Sequence, residues 1–494
     1  MKARTSSVGL IAGPLLAGLL YLWLPEQYAN EHGQLIVLTD AARATAATGL
    51  WMAIWWMTEA ISIYATAMLP LAVFPLTGTA TIKTTAASYG HELIFLFLGG
   101  FIIALALERC GLHRRFALRV LQFVGTRPTH IIGAFMGIAA FVSMWVTNTA
   151  TTIMLLPVAL SISHMVTEKM GRQDDDFPVC LLLGVAYAAS IGGIGTIVGT
   201  APNLFIVSFV QNQMGQEISF VRWMMIGVPL LLVFVPLTWW LLSRVIFSIS
   251  RDKIAGIDDL LSKLSAELGP LRRAEVLTLI IFVLTAAAWV CRPLLNRISL
   301  GGVEPFAGLT DPGIAIIAAL SLFVTPVDFR QREFLMDWQT AVKLPWGLLI
   351  LFGGGLSLAA AIDHTGFSEF LGTRSLALAA MPTVVIVVLV TAMMIFLTEL
   401  TSNTATTATL IPILYAVAIS LGINPYLLIM PAGIAASCAF MLPVATPPNA
   451  IVFGSGLVTV PQMARAGFRL NLIGIVLITI LAYAVIVPVL GVTG

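Results

Sequence analysis

The sequence predicts an all-α polytopic membrane protein with about eleven transmembrane helices and two re-entrant hairpins, arranged as two inverted repeats. Three observations support this fold class. Hydrophobic residues make up 59% of the 494-residue chain and charged residues only 10%, whereas a soluble domain carries about 25% charged residues. Apolar runs of about 20 residues, long enough to cross a bilayer, recur along the whole chain. Finally, one polar motif occurs twice, each time inside an apolar stretch.

The apolar runs define the predicted spans. In chain order these cover residues 8–24, 44–58, 61–78, 91–112, 180–210, 223–248, 274–292, 311–326, 344–363, 425–456 and 468–490. Two apolar stretches remain, residues 130–163 and 380–421. If each crossed the membrane once, the flanking charges would fall on alternating sides. Each is therefore interpreted as a hairpin that enters and leaves the membrane on one side.

The repeated motif lies in the middle of these two stretches. It reads VTNTATTIMLLP at residues 146–157 and TSNTATTATLIP at residues 401–412. Both copies contain NTATT, followed by Leu and Pro at the same positions, and Asn148 and Asn403 are 255 positions apart. Duplicated halves of this kind are typical of secondary transporters, whose binding sites lie at the repeat interface in interrupted helices.

A second pair of motifs follows the hairpins. GTAPN at residues 199–203 corresponds to ATPPN at residues 445–449. Pro and Gly at these positions are expected to stop a span halfway through the membrane. Other residues also match at the offset of 255, including Phe97 with Phe352. Two hairpin tips facing two broken helices would enclose one central site.

Charge distribution predicts the orientation. With the N-terminus inside, the inner loops hold 20 of the 26 Lys and Arg residues, including Arg172, Arg251 and Lys253. The other six, on the outside, are Arg43, Lys83, Arg222, Arg292, Arg297 and Arg374. By the positive-inside rule the N-terminus is inside and the C-terminus outside. The first hairpin then opens from the cytoplasm and the second from outside. Residues 251–273 are predicted to form an amphipathic cytoplasmic helix between the halves.

The chemistry of NTATT suits an ion site. A helix that begins inside the membrane has free N–H groups, which Ser, Thr and Asn cap. Its N-terminus also carries a partial positive charge that favours anions. The preceding helix end offers carbonyl groups to a hard cation such as Na⁺. Packing is the alternative role for such residues in membrane helices, but two copies at matching positions favour a site.

The scarcity of charged residues restricts how a ligand can be bound. Neither hairpin tip contains Arg, Lys or Asp, so helix dipoles and co-bound Na⁺ are expected to compensate a bound anion. Intramembrane carboxylates, which usually mark proton relays, are few. Glu399 is interpreted as a structural residue that accepts hydrogen bonds from backbone near the hairpin turn, with a role in the site as the alternative.

Three stretches resemble the divalent anion/sodium symporter family, which carries dicarboxylates, citrate or sulfate. They are WWMTEAISIYATAMLPLAVFPLTG at residues 55–78, the TNT and SNT triplets at 147–149 and 402–404, and SCAFMLPVATPPNAIV at residues 437–452. The resemblance covers nearly the whole chain. The chain departs from the family pattern at Thr147, where Ser is usual, and at Ser62, where Pro is frequent.

The resemblance implies an elevator-type homodimer, in which each protomer has a scaffold and a moving transport domain. The scaffold would comprise residues 1–128 (spans 1–4) and 273–379 (spans 7–9). The transport domain would comprise residues 129–248 (first hairpin, spans 5–6) and 380–494 (second hairpin, spans 10–11). Residues 249–272 would form the cytoplasmic linker.

The resemblance also implies the binding residues. The substrate carboxylates would contact Thr147, Asn148, Thr149, Thr200, Ser402, Asn403, Thr404, Thr446 and Pro447. The first sodium ion would be held by Ser143, Thr147, Asn148 and Gly199. The second would be held by Thr398, Thr401, Asn403 and Ala445.

The favoured function is sodium-coupled symport of a divalent anion, with a four-carbon dicarboxylate such as succinate or malate ahead of citrate or sulfate. A sodium-independent anion exchanger on the same fold and an anion channel are the alternatives. An enzyme is disfavoured because the sequence shows no acid/base or nucleophile constellation. Na⁺ is the expected coupling ion, with no organic cofactor and no nucleic-acid partner. The expected location is a bacterial cytoplasmic membrane.

Overall fold

The computed structural model describes residues 2–29, 34–170, 176–249, 256–299, 302–375 and 378–491. Arg172, Arg251 and Lys253, which the orientation prediction counted as inside, lie outside the described residues. The first half contains helices α1 (Lys2–Trp23), α2 (Asp40–Thr58), α3 (Ile63–Thr66), α4 (Leu69–Thr77), α5 (Ile82–Ala87), α6 (Glu92–Cys110), α7 (Leu112–Val124), α8 (Pro128–Ser143), α9 (Asn148–Met170), α10 (Asp176–Gly193), α11 (Ala201–Met214) and α12 (Phe220–Trp240).

The second half begins after an amphipathic helix, α13 (Ile257–Glu267), which lies within the predicted linker. It contains α14 (Arg273–Leu295), α15 (Asp311–Val324), α16 (Trp338–Ala341), α17 (Trp346–His364), α18 (Phe367–Ser375), α19 (Thr383–Thr398), α20 (Asn403–Ser420), α21 (Tyr426–Ala436), α22 (Pro447–Phe453), α23 (Val460–Leu481) and α24 (Val487–Leu490). Two short antiparallel pairs complete the described chain: β1 (Gln27–Ala29) with β2 (Leu35–Val37), and β3 (Pro326–Asp328) with β4 (Glu333–Phe334).

The helices confirm a polytopic membrane protein. Nine helical segments in the described chain are long and apolar enough to cross a bilayer. They are Ser6–Trp23, Ile82–Cys110, Asn148–Val166, Asp176–Gly193, Phe220–Ile246, Arg273–Leu295, Trp346–His364, Asn403–Ser420 and Val460–Leu490. The other predicted spans fall on α2, on α3 with α4, on α15, and on α21 with α22. Of the eleven, residues 180–210 and 425–456 each contain a break between two helices.

The third predicted span, residues 61–78, differs from the expectation. It consists of two short helices, α3 and α4, separated at Ala67 and Met68. The chain also turns sharply just before α3, because Glu59 adopts the left-handed conformation with φ 47° and ends α2. A left-handed non-Gly residue is uncommon. This segment therefore packs as a bent element rather than as one straight crossing.

The repeat is visible element by element. Helices α6 to α9 recur as α17 to α20, and the starts of α8 and α19, Pro128 and Thr383, are separated by the same 255 positions as the motifs. Gly111 after α6 and Gly366 after α17 both have φ 76°, a conformation that favours glycine. Each half thus turns in the same way before its hairpin.

Two repeat-related phenylalanines meet in the core. The rings of Phe97 on α6 and Phe352 on α17 are 5.3 Å apart and nearly perpendicular, an edge-to-face arrangement that aromatic pairs prefer. Both side chains are fully buried. The two halves therefore contact each other through equivalent surfaces.

The hairpins pack around the broken helices. Helix α10 is 94% buried and contacts α8, α9, α12 and α22, whereas α21 contacts α19, α20 and α11. Elsewhere α6 packs on α14 and α15, and α1 packs on α2. This arrangement puts the two polar hairpin tips next to both interruptions, away from the outer surface formed by α1 and α14.

Candidate functional site

Both hairpin tips line one cavity of about 1040 Å³. Helix α8 ends at Ser143 and α9 begins at Asn148, and α19 ends at Thr398 and α20 begins at Asn403. The two helices of each hairpin contact each other. All nine residues predicted to bind substrate line this cavity: Thr147, Asn148, Thr149, Thr200, Ser402, Asn403, Thr404, Thr446 and Pro447.

The first tip is held by hydrogen bonds across its break. The Ser143 hydroxyl donates to Oδ1 of Asn148 at 2.5 Å, and Oγ1 of Thr147 accepts from the backbone N–H of Ala150 at 3.3 Å. Thr152 donates back to the Asn148 carbonyl at 2.8 Å. Thr147 therefore caps α9, as expected for a helix that starts inside the membrane.

The second tip repeats this geometry. The Thr398 hydroxyl donates to Oδ1 of Asn403 at 2.6 Å, and Ser402 caps α20 by accepting from Ala405 at 3.5 Å. Thr407 donates to the Asn403 carbonyl at 2.7 Å. In both halves one hydroxyl fixes the asparagine amide. The amide oxygens of Asn148 and Asn403 are therefore held in equivalent ways in the two halves.

The interruptions downstream are clamped by two asparagines. Nδ2 of Asn203 donates to the carbonyl groups of Gly193 at 2.9 Å and Thr196 at 2.7 Å. Nδ2 of Asn449 donates to the carbonyl groups of Ala439 at 3.2 Å and Leu442 at 3.1 Å. Both asparagines are fully buried. Each clamp satisfies carbonyls that a broken helix leaves free, which a bilayer interior demands.

Glu399 stabilises the second interruption. Its carboxylate accepts from the backbone N–H groups of Phe440 at 2.7 Å, Met441 at 2.9 Å and Leu442 at 3.2 Å. It also accepts from Nδ2 of Asn471 at 2.8 Å. The structural role predicted for Glu399 is therefore seen, but its partners belong to the break after α21 rather than to the hairpin turn. Glu399 does not line the cavity.

Three of the four residues predicted for the first sodium ion line the cavity. Ser143 is fully buried behind the tip, whereas Thr147, Asn148 and Gly199 line the cavity. A Cβ added to Gly193 would lie 2.6 Å from Oδ1 of Asn148 and 3.2 Å from the Gly199 carbonyl oxygen. The backbone of Gly193 thus packs tightly against the Asn148 amide and the Gly199 carbonyl group. Hard cations are bound by such oxygen groups.

One of the residues predicted for the second sodium ion, Thr401, has its side chain hydrogen-bonded within the hairpin. Asn403, Thr401 and Ala445 line the cavity, and Thr398 is buried behind it. The Thr401 hydroxyl donates to the Leu397 carbonyl at 2.8 Å and bonds the Thr406 hydroxyl at 2.6 Å. The Thr401 side chain is therefore engaged within the hairpin. The Asn403 amide oxygen accepts the hydrogen bond from Thr398.

The cavity wall is mostly uncharged. Among its described lining residues, Glu59, Glu108 and Lys343 are the charged ones, and none belongs to a hairpin or an interruption. Four helices begin at the cavity instead, namely α9, α11, α20 and α22. Helix N-termini carry partial positive charge. The arrangement can bind an anion through helix ends, hydroxyls and amides, with hard cations beside it.

Sequence reasoning missed some residues of the site. Gly193 was not singled out, although the pair GG at residues 192–193 before a break is a signal for close backbone approach. Phe101 and Leu348 of the apolar wall come from α6 and α17, outside both hairpins. Neither residue belongs to a motif. Only the tertiary fold brings these two helices to the cavity.

Comparison with known sequences identifies relatives of the whole chain. A family model described as "Sodium:sulfate symporter transmembrane region" matches residues 34–491. The chain is 40% identical over 492 residues to the "Sodium-dependent dicarboxylate transporter SdcS" of Staphylococcus saprophyticus, covering 98% of this chain and 92% of that protein. It is 39% identical over 491 residues to the protein of the same name from Staphylococcus aureus (strain bovine RF122 / ET3-1), with the same coverage.

Solved structures share the fold at low sequence identity. The YdaH transporter of Alcanivorax borkumensis superposes with a TM-score of 0.58 at 13% identity, covering 97% of both chains. MtrF of Neisseria gonorrhoeae superposes with a TM-score of 0.62 at 11% identity, covering 97% of this chain and 94% of that one. The chain therefore shares its fold with these two solved structures.

Proposed function

Because the chain belongs to the sodium:sulfate symporter family, we propose that it carries a four-carbon dicarboxylate, such as succinate or malate, across the membrane together with Na⁺. The observation that carries this proposal is the shared cavity, in which Asn148 and Asn403 occupy equivalent positions at the starts of α9 and α20. The names of the staphylococcal relatives support a dicarboxylate over sulfate or citrate.

One end of such a substrate would bind at each hairpin tip. One carboxylate would accept from Thr147, Asn148 and Thr149, and the other from Ser402, Asn403 and Thr404. Thr200, Thr446 and Pro447 would complete the wall. Charge-assisted hydrogen bonds to a carboxylate are stronger than neutral ones, and the helix N-termini add favourable charge.

Bound Na⁺ would offset the rest of the negative charge of the substrate. The first ion would bind Ser143, Thr147, Asn148 and Gly199, and the second Thr398, Thr401, Asn403 and Ala445. Each proposed set includes the asparagine that also faces the substrate. A bound cation would therefore fix the amide and offset the negative charge beside it. Substrate affinity and Na⁺ affinity are linked for this reason, because each ligand raises the affinity for the other.

Movement and orientation are part of the proposal. The N-terminus would lie in the cytoplasm and the C-terminus outside, in a bacterial cytoplasmic membrane, and two protomers would form a homodimer. Residues 1–128 and 273–379 would form the scaffold, joined through residues 249–272 to a transport domain of residues 129–248 and 380–494. The contacts among α8 to α12 and α19 to α23 support such a moving unit, which would act as an elevator.

Uptake into vesicles tests the function. Purified protein in sealed liposomes is given labelled succinate, with an inward gradient of Na⁺ or of choline. Symport predicts accumulation only with Na⁺, reduced by excess malate. Accumulation that ignores Na⁺ but requires internal dicarboxylate would instead identify an exchanger. Uptake of labelled sulfate or citrate in preference to succinate would overturn the substrate assignment.

A further inference from the structure

A second cavity, of about 300 Å³, lies behind the first hairpin. It is bounded by α7, α8, α14 and the break between α8 and α9. Val146 of this break lines both this cavity and the large substrate cavity. The two cavities are therefore neighbours on opposite sides of one short segment. Neither predicted sodium set nor the substrate set has a residue in the second cavity.

The wall of this cavity is apolar. Ten of its thirteen lining residues are Leu, Phe, Val or Trp. Phe116, Phe141 and Leu279 are 39%, 48% and 40% exposed, so they mark the mouth, and the rings of Phe116 and Phe141 are 5.3 Å apart. Exposed apolar side chains of a membrane-spanning chain face lipid. The mouth therefore opens towards the bilayer, where hydrocarbon is the surrounding medium.

The three other lining residues, His113, Arg115 and Arg119, all come from α7. Leu112, Arg115, Phe116 and Arg119 follow the spacing of one helix face. Arg115 is already satisfied, because its guanidinium bonds both oxygens of Glu275 at 3.0 and 3.1 Å and backbone carbonyls of residues 268–270. The positive charge left at the mouth is that of Arg119.

Arg119 is exposed and makes no ion pair within the part of the chain that the structure describes. A basic side chain beside an apolar slot matches an amphiphile with a negative head. Juxtamembrane Lys and Arg residues attract anionic lipid headgroups, and amphipathic helices with basic and apolar faces lie at the membrane interface. The apolar lining of the cavity would contact the hydrocarbon part of such an amphiphile, whereas a small inorganic anion has no such part.

We propose that this cavity binds one acyl chain of an anionic phospholipid, with the phosphate at Arg119. The lipid would fill the space against Phe141, Leu279 and Phe282 and reach Trp145 in the hairpin break. The lipid would lie in the cytoplasmic leaflet. This choice of leaflet is the one part of the proposal that rests on the proposed topology.

The position gives the lipid a consequence for transport. The indole of Trp145 packs edge-on against Phe282 with ring centres 5.2 Å apart, and Trp145 and Val146 directly precede Thr147. An occupied cavity supports the break from the side opposite to the substrate. An empty cavity forfeits the dispersion contacts that its lining atoms would make with a lipid chain. Anionic lipid is therefore expected to raise the initial rate of uptake.

Two matched pairs of variants test the site. Leu279→Trp fills the cavity, whereas Ile280→Trp changes an exposed neighbour on α14 that does not line it. Arg119→Gln removes the charge at the mouth, whereas Arg114→Gln removes an exposed charge of α7 outside the lining. Each protein is reconstituted in phosphatidylcholine vesicles containing phosphatidylglycerol, then extracted, and its retained lipid is counted by native mass spectrometry.

The wild-type protein, Ile280→Trp and Arg114→Gln should retain phosphatidylglycerol in preference to phosphatidylcholine. Arg119→Gln should reduce this preference about fivefold, as expected for one basic residue at an anionic membrane surface, and Leu279→Trp should abolish retention. Equal retention within either matched pair would overturn the proposal, as would equal retention of both lipids by the wild type. Because retention is measured without substrate, loss of succinate uptake in every protein would refute the proposed function and leave the lipid site standing.

Discussion

The hydroxyl of Thr398 donates to Oδ1 of Asn403 at 2.6 Å, across the break of the second hairpin. Ser143 and Asn148 form the same bond at 2.5 Å in the first hairpin. Each bond leaves the asparagine Nδ2 group free to donate to a substrate and leaves a second lone pair on Oδ1 for a cation. The two amides are therefore placed to serve both the proposed substrate site and the proposed sodium sites.

Replacing either asparagine by alanine should abolish sodium-driven uptake. Asn148→Ala and Asn403→Ala each remove a donor to a carboxylate and an acceptor for a cation. Hydrogen bonds to charged groups contribute about 1.5–3 kcal/mol, so losses of about 10- to 100-fold or more in transport efficiency are expected. Vesicle uptake measures the effect, and size-exclusion chromatography checks that assembly is unchanged. Full transport by either variant would remove these residues from the site.

Gly193→Ala should weaken the first proposed sodium site. The added Cβ would sit 2.6 Å from Oδ1 of Asn148, closer than side-chain contacts allow, so the amide must move. The Na⁺ concentration for half-maximal uptake should rise more than about tenfold, corresponding to about 1.4 kcal/mol. Gly137→Ala is the matched control, because its Cβ meets no atom within 4 Å. An unchanged sodium dependence in Gly193→Ala would contradict the cation assignment.

Glu399→Gln should destabilise the fold more than it changes substrate selectivity. The Glu399 carboxylate accepts from three consecutive backbone N–H groups, and an amide cannot serve all of them because its NH₂ group donates. Each buried donor left unpaired costs about 1–3 kcal/mol. A lower thermal unfolding temperature in detergent is expected, compared with Glu333→Gln at an exposed position of β4. Equal unfolding temperatures would show that the break after α21 does not depend on this carboxylate.

Two substitutions of Thr147 distinguish the contribution of its hydroxyl group to uptake from that of its methyl group. Thr147→Ser keeps the cap on Ala150 and should retain sodium-dependent uptake, with a changed KM because a methyl group leaves the cavity wall. Thr147→Val keeps the shape and loses the hydroxyl, which removes a helix cap of about 1 kcal/mol and a proposed ligand. Uptake by the valine variant at the rate of the serine variant would show that the hydroxyl does not contribute.

The sequence by itself determined the membrane class, the positions of the helices and the repeat. Apolar length fixes where spans lie, because a helix must satisfy its backbone inside the bilayer. Helices begin at or next to NTATT and the two PN motifs, where polar residues and Pro interrupt apolar stretches. The sequence also identified Asn148 and Asn403 as candidate site residues, because both belong to the duplicated NTATT motif.

Tertiary structure decided how those breaks meet. No local pattern states that Asn203 clamps the Gly193 and Thr196 carbonyls, or that Glu399 reaches residues 440–442 rather than its own hairpin turn. These contacts join segments far apart in sequence and depend on packing around α10 and α21. The same holds for the bend at Glu59 and for the apolar cavity behind Trp145. Hydrophobic pattern specifies which face is buried, whereas the partner of a buried polar group depends on the three-dimensional arrangement of the helices.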